Sequence, residues 1–334
     1  MQIFPTQYST LSAKALNLHL MEAYGFQDMS CRLLIRNVSD TYIFENETDQ
    51  YIFKIYRDAH RSLNEIEAEL ALLNILKENG AMVSYPINDK NQQQIQRFQA
   101  AEGVRYGVLF SFAKGEVTYE MNDKQLTLLG REMARLHNIT TGLELPFERK
   151  EYTIETTLLR PIEVIKPAFS KLSEEYDYLH KTVLEVAEAI RKLDLQSFSY
   201  GYCHYDFLPK NFHFEGDDKL TFFDFDFAGK GHFINDITSF IIHYFLENIS
   251  GKISIEETAG CFAVFIKSYR SIKVITDAEL ASIKYFGLGF WMFYFQFHFE
   301  NYDDWSSIFF NDRFIKGRVG LIKQWMEWDF ETML

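Results

Sequence analysis

His204-Tyr205-Asp206-Phe207-Leu208-Pro209-Lys210-Asn211, followed after a short polar turn by Phe222-Phe223-Asp224-Phe225-Asp226, is the stretch on which the reading of the chain turns. An acid stands two places after a histidine, an asparagine five places after that acid, and a second acid ends an apolar run. Asp206 is placed to orient or deprotonate a hydroxyl, while Asn211 and Asp224 offer an amide and a carboxylate oxygen to Mg²⁺. This is the equipment for moving a phosphoryl group. His204 reads as a brace that hydrogen-bonds the loop. Lys210 serves either to neutralise phosphate charge or as a solvated loop residue. Asp226 repeats the acid two residues on, and in a strand it would share a face with Asp224.

Composition bounds the setting. The 334 residues allow a large core and two lobes, and 47% apolar with 24% charged residues is ordinary for a soluble globular protein. The 32 Phe and 19 Tyr imply a bulky core with aromatics left over for a pocket. A formal charge of −13 argues against a phosphate-backbone partner, so no nucleic acid is expected; it fits a solvated acidic surface and permits attraction of a cationic substrate. Cys31, Cys203 and Cys261 are too scattered for a disulfide framework or zinc site, which fits a reducing cytoplasm. The N-terminus lacks the pattern of a signal peptide. Tyr285–Phe299, the most apolar window, is shorter than a membrane span and broken by polar residues, so a buried helix is expected there.

Around the central segment the chain divides in two. Leu33–Ile35, Tyr42–Phe44 and Tyr51–Tyr56 read as an antiparallel meander, with turn clusters at 37–40 and 45–50. A helix is predicted over about 62–79, ended by Gly80. Strand-like sequence runs from Gln94 to Phe112, split at Ala100–Gly103. Beyond a seam near Phe112–Gly115 the chain is mostly helical, Lys124–His137 and Glu174–Leu193 being clear cases, and strands return around 212–227.

Two residues outside the opening segment sit awkwardly. In the helix 62–79, Leu63, Ile66, Leu70, Leu73 and Leu76 form an apolar stripe, and Glu69 falls inside it. Lys54 lies in a strand too apolar to show much of either face to water. A buried carboxylate needs a cation, and a Lys54–Glu69 pair answers both. An edge strand with Lys54 solvated fits these residues equally well when they are taken alone; beside residues 204–226 the pair is the better reading. Asp236 precedes the apolar run Ile237–Leu246, as a charge at a helix start or as an anchor for the catalytic loop's backbone.

With these residues in view the chain resembles the aminoglycoside phosphotransferase, choline kinase and type II homoserine kinase superfamily, most clearly over about 33–240. The resemblance implies an α+β, protein-kinase-like two-lobe fold. A nucleotide-binding lobe (1–112) of small antiparallel sheet plus helix would precede a mainly helical catalytic and substrate-binding lobe (113–334). It implies ATP and Mg²⁺ as cofactors, Lys54 with Glu69 as the phosphate-positioning pair, and Ser39 in the turn that covers the phosphates. The Ser111 carbonyl and Ala113 amide, in Leu109–Gly115, would read the adenine. Asp206 matches the catalytic aspartate, Asn211 and Asp224 the metal ligands, and Asp236 the structural aspartate. Leu129–His137 resembles the family helix that ends in Leu-His. The chain departs from the family in three places. Tyr205 stands where glycine is usual, either narrowing access to Asp206 or pointing into the core. No glycine-rich loop spans 37–42, and Asp226 replaces a frequent glycine.

The function expected is phosphorylation of a hydroxyl on a small molecule of the aminoglycoside, amino-alcohol or homoserine kind. One alternative is a nucleotide-binding pseudokinase, motivated by Tyr205 and the missing glycine-rich loop. A metallohydrolase built on His204, Asp206, Asp224, Asp226 and His232 is another, though it leaves Lys54 and Glu69 without a role. The acceptor is expected in the helical lobe, including the 150–200 insert and the C-terminal helices, with His298, Glu300, Asp303 and Trp305 as candidates beside Tyr294 and Asp304. An acidic, aromatic rim there would suit an amine.

Overall fold

The computed structural model describes residue 6 and residues 8–57, 60–301 and 310–334. The described chain forms two compact units. The first comprises Met1–Lys114 with Leu145–Glu148, and the second Gly115–Glu144 with Arg149–Leu334.

The first unit begins with α1 (Ala13–Tyr24), capped by the Ser12 side chain at its start and by Gly25, φ 77°, at its end. The strands β1 (Ser30–Arg36), β2 (Ser39–Glu45) and β3 (Gln50–Tyr56) follow as the expected meander. Next come α2 (Leu63–Glu78), β4 (Ile95–Gln99) and β5 (Val104–Ser111). The sheet is antiparallel throughout, in the order β1-β2-β3-β5-β4. Period-two alternation sends Tyr42, Phe44, Phe53, Ile55 and Leu109 into a core with Leu16 and Leu20 of α1. Lys54 projects from the opposite face of β3. A capping box between Ser62 and Glu65 starts α2, and Gly80, also φ 77°, follows its end.

Two expectations need correction here. Residues 37–40 are not all turn, for the hairpin turns on Asn37 and Val38 alone. Ser39 and Asp40 are already in β2, with Asp40 wholly buried 4.0 Å from the Arg105 guanidinium. Leu63, assigned to the apolar stripe of α2, is exposed. At the sheet's edge β1 pairs, among the described residues, with β2 alone; its register shifts between Leu33 and Ile35, and Leu33, Leu34 and Ile35 are 40%, 49% and 53% exposed.

The second unit opens at Gly115, whose φ of +91° and contact with the Phe214 carbonyl leave no room for a Cβ. It contains α3 (Asp123–Thr140), α4 (Arg160–Ile165), α5 (Ser173–Arg191), β6 (Tyr200–Cys203), β7 (Phe212–Glu215), β8 (Lys219–Phe222) and β9 (Gly229–His232). Then follow α6 (Ile234–Ile249), α7 (Ile255–Arg270), α8 (Asp277–Ala281), α9 (Ile283–Asn301) and α10 (Asp312–Glu327). Two small ribbons, β6 with β9 and β7 with β8, hold the segment 204–226 against this helical body. As its composition predicts, α9 is largely buried, from Ile283 to Phe297. Among the described residues no helix is long and apolar enough to cross a membrane, and Cys31, Cys203 and Cys261 are free thiols.

Candidate active site

In the first unit Lys54 is paired on both sides, with Thr41 of β2 and Val108 of β5, so it is not on an edge strand. It is 7% exposed and Glu69 2%. Tyr56 links them: Lys54 Nζ lies 5.1 Å from the Tyr56 ring centre, and the Tyr56 hydroxyl donates to Glu69 Oε2 at 3.2 Å. Ser39 is buried at the start of β2. Ser111 ends β5 with its carbonyl accepting from the Ser84 hydroxyl at 2.6 Å, which leaves one of two lone pairs. Ala113 is buried just beyond β5.

In the second unit the loop after β6 is held from three directions. Asp236, in the first turn of α6 and wholly buried, accepts the His204 amide on Oδ2 at 2.9 Å and the Tyr205 amide on Oδ1 at 2.6 Å. Its Oδ2 also meets His137 Nε2 at 2.9 Å, and His137 Nδ1 meets the Tyr269 hydroxyl at 2.8 Å. Three residues further along α6, Ser239 Oγ accepts the Phe207 amide at 3.0 Å. The His204 ring closes the third side, its Nδ1 accepting from the Asp206 amide at 3.2 Å and its Nε2 donating to the Phe223 carbonyl at 2.9 Å. Those two bonds require the neutral Nε2–H tautomer.

Asp206 is thereby fixed at 2% exposure with its two oxygens made unequal. Oδ2 accepts from Asn211 Nδ2 at 2.7 Å and lies 3.0 Å from Lys210 Nζ, whereas Oδ1 is buried with no hydrogen-bond donor. Burial works against the Lys210 ammonium, but the Asp206 carboxylate outweighs it and raises its pKa above the ordinary value. Because Asn211 spends its amide N–H on Asp206, its oxygen is the atom left for a cation. Asp224 is exposed and left-handed, φ 62° and ψ 58°, and the 3₁₀ turn Phe225–Phe227 follows it. It is therefore not in a strand and shares no strand face with Asp226, which is buried. An exposed carboxylate and a carbonyl-type oxygen fit a hard cation that keeps most of its water. No three His, Cys, Asp or Glu side chains gather as a metal site among the described residues, and the metallohydrolase cluster is not assembled.

Tyr205 has φ 69°, a conformation costing most residues about 1 kcal/mol or more, which is the physical reason a glycine suits this place. Its ring is taken into the interior, stacked on Tyr152 at 3.5 Å between centres and 5.0 Å from Phe293. The Tyr205 hydroxyl is buried without an acceptor. Tyr205→Phe is expected to leave stability unchanged or raise it by about 1 kcal/mol, since it deletes only an unsatisfied hydroxyl. Tyr205→Gly relieves the backbone but empties the stack, a net loss of about 2–3 kcal/mol. Urea unfolding of the two variants checks the order, and a Phe variant weaker than the Gly variant would refute it.

Of the acceptor candidates, His298 is half-buried on α9, with burial, Arg318 and Lys210 pressing its pKa down to about 4. Glu300 is exposed and accepts from Gln296 at 2.8 Å. Asp303, Asp304 and Trp305 lie outside the described residues. Sequence reasoning gave no role to His137 beyond its place in the Leu-His helix, and it passed over Arg318 altogether. A cavity of about 370 Å³ lined by Tyr152, Tyr200, His232, Asn235, Tyr285 and Phe286 adjoins the Tyr152–Tyr205 stack; part of its wall is the 150–200 insert expected to serve the acceptor, and none of the residues assigned to phosphoryl transfer lines it.

Burial also lowers the pKa of His137, His232 and His243. These bases and His298 stay neutral in the folded chain while the unfolded chain takes up protons below about pH 6.5. Stability therefore falls as the pH drops from about 6.5 toward 4, by up to about 1.4 kcal/mol per pH unit for each histidine. The urea midpoint should be lower at pH 5 than at pH 7; equal midpoints would contradict the assignment.

The profile of the phosphotransferase enzyme family (APH) matches residues 31–258, well over half of the chain. The chain belongs to this family. With membership goes the character of a small-molecule kinase. A Synechocystis protein of uncharacterised role is 28% identical over 285 residues, 84% of this chain and 76% of its own. An amicoumacin kinase of Bacillus subtilis is 27% identical over 230 residues, 64% of this chain and 63% of its own. A solved amicoumacin kinase, in complex with AMP-PNP, Ca²⁺ and Ami, shares the protein-kinase-like fold, with a TM-score of 0.73 at 20% identity over 97% of this chain and 98% of that one. The segment 204–226 and, apart from Ser30, the five-stranded sheet fall inside the matched region.

Proposed function

We propose that this phosphotransferase transfers the γ-phosphoryl group of ATP, with Mg²⁺, to a hydroxyl of a small molecule in the cytoplasm. The observation that carries the reading is the Asp206 carboxylate, anchored through Oδ2 while Oδ1 is buried without a donor. An acceptor hydroxyl at Oδ1 completes that hydrogen bond and gives up its proton there as its oxygen attacks phosphorus. ADP leaves as the bridging P–O bond breaks. Lys210, charged beside Asp206, offsets negative charge gathering at the transferred group. Asn211 and Asp224 would hold Mg²⁺, which supplies neutralisation of the phosphate charge. In the first unit Lys54 would meet the α- and β-phosphates, and Ser111 and Ala113 the adenine. Ser39, the first residue of β2 after the Asn37–Val38 turn, would lie beside the phosphates.

The pseudokinase alternative rested on Tyr205 and the absence of a glycine-rich loop. The burial of the Tyr205 ring in the Tyr152–Phe293 stack weighs against the first of these. The acceptor is drawn from the aminoglycoside, amino-alcohol and homoserine-like classes, and the overall acidity of the chain favours one that bears an amine.

ATP with Mg²⁺ at about one hundred times its dissociation constant should stabilise the protein by about 2.7 kcal/mol. A rise in melting temperature that needs both components is the expected result. No shift at millimolar concentration would sink the reading.

A further inference from the structure

Arg318 lies outside the kinase machinery described above. It stands on α10 one turn beyond Phe314, with its guanidinium carbon 5.2 Å from the Trp291 ring centre and 5.5 Å from that of Phe314. It is largely withdrawn from water, and among the described residues no carboxylate pairs with it and no acceptor takes its N–H groups. Its neighbour Lys316 has Glu175 at 4.0 Å; Arg318 has no such partner. Burial draws its pKa down to about 10, and no acid among the described residues restores it. An isolated buried cation is expensive unless something compensates it.

The surroundings share this one-sidedness. On α9, Trp291, Tyr294 and His298 recur at helical spacing along one face. The Trp291 indole N–H is buried without an acceptor, and the Tyr294 hydroxyl is buried against Asp206. His298 continues the row, 6.3 Å from Tyr294 and 5.7 Å from Phe314 between ring centres, within the fields of both Arg318 and Lys210. At the other end Tyr294 reaches Asp206: burial, and next the Asp206 charge, push its hydroxyl well above the usual tyrosine pKa. Asp206 is the acid at this end of the row, and Lys210 and Asn211 already engage it. In a chain of net charge −13, Arg318 and the Trp291 indole thus form a cation and a donor that no carboxylate among the described residues meets.

We propose that Arg318 binds a carboxylate of the phosphate acceptor, so that the acceptor is a hydroxy acid whose hydroxyl is presented to Asp206. The planar guanidinium fork matches a carboxylate with two parallel N–H···O bonds. An amine on the same molecule is compatible, so an amino hydroxy acid satisfies both the local and the overall charge. The inference rests on the assignment of Asp206 as the phosphoryl-transfer base, and its test is separable from that assignment.

The test uses hydroxy acids and amino hydroxy acids of three to six carbons, each beside its primary amide, with wild type, Arg318→Gln and Arg318→Lys. Thermal stabilisation by the acceptor alone reads binding whether or not phosphate is transferred, and ATP-consuming turnover reads KM and kcat. For wild type, at least one acid should bind about 10–100-fold more tightly than its amide, the range of a charge-assisted hydrogen-bond pair. Arg318→Gln should erase that preference through KM, leaving kcat on the amide and stabilisation by ATP unchanged. Arg318→Lys should restore part of it. Equal binding of acid and amide by wild type, or a preference that survives Arg318→Gln in a protein with an unaltered unfolding midpoint, overturns the proposal. Acid-selective binding with no phosphoryl transfer supports Arg318 and counts against the kinase reading instead.

Discussion

Replacing Asp206 by asparagine is expected to abolish most turnover while leaving a folded protein that still responds to nucleotide. The amide oxygen can keep the bond from Asn211, so the loop loses one ion pair, with the half-exposed Lys210, and little else. On the proposed role of Asp206, the substitution would remove the atom that takes the acceptor's proton. Positioned general bases contribute about 10²–10⁴ in rate, a barrier change of about 3–5 kcal/mol. Initial rates of ADP formation with a working acceptor, set beside ATP-dependent thermal stabilisation, read the two properties apart. Turnover within tenfold of wild type would remove Asp206 from its role, and loss of ATP stabilisation would mean the change acts on nucleotide binding.

Asp236→Ala is expected to be the most damaging single change to stability. Asp236 is wholly buried and is the common acceptor of two catalytic-loop amides and His137, so alanine strands three donors at once. Removing one partner of such a buried set costs about 3–5 kcal/mol. Asp236→Asn keeps one acceptor oxygen and should fall between alanine and wild type. Chemical denaturation of the three proteins tests the order; an alanine variant within about 0.5 kcal/mol of wild type would show that solvent or rearrangement replaces the lost acceptor.

The strands and α2 were legible because their signals are local and redundant. Alternation marks β2 and β3, and α2 carries both a capping box and a glycine stop. Glu69 was legible for the opposite reason, as a charge in a stripe where charge is costly, and it is buried against Tyr56. By contrast α1 buries only Leu16 and Leu20, too few positions to raise a periodic pattern. Asp40 reads as turn chemistry until Arg105, distant in sequence, takes it into the sheet. Asp224 sits in so apolar a run that strand is the natural reading, yet it adopts a left-handed backbone that no local composition announces. Arg318 looks like any basic residue of an amphipathic helix, because its isolation from acids is a property of the packing of α9 and α10 rather than of the sequence around it.

The free side of β1 sets how this molecule behaves in the company of its own copies. Three consecutive apolar residues, Leu33 to Ile35, stand in water on a strand whose outer edge is unpaired, a ready template for sheet extension. Arg32 and Arg36 bracket them, and the register shift between Leu33 and Ile35 bends the edge away from a flat partner. A second chain laid antiparallel along that edge would bring arginine against arginine. The cost of that meeting rises as salt is diluted, so self-association through the sheet is held back most strongly at low ionic strength.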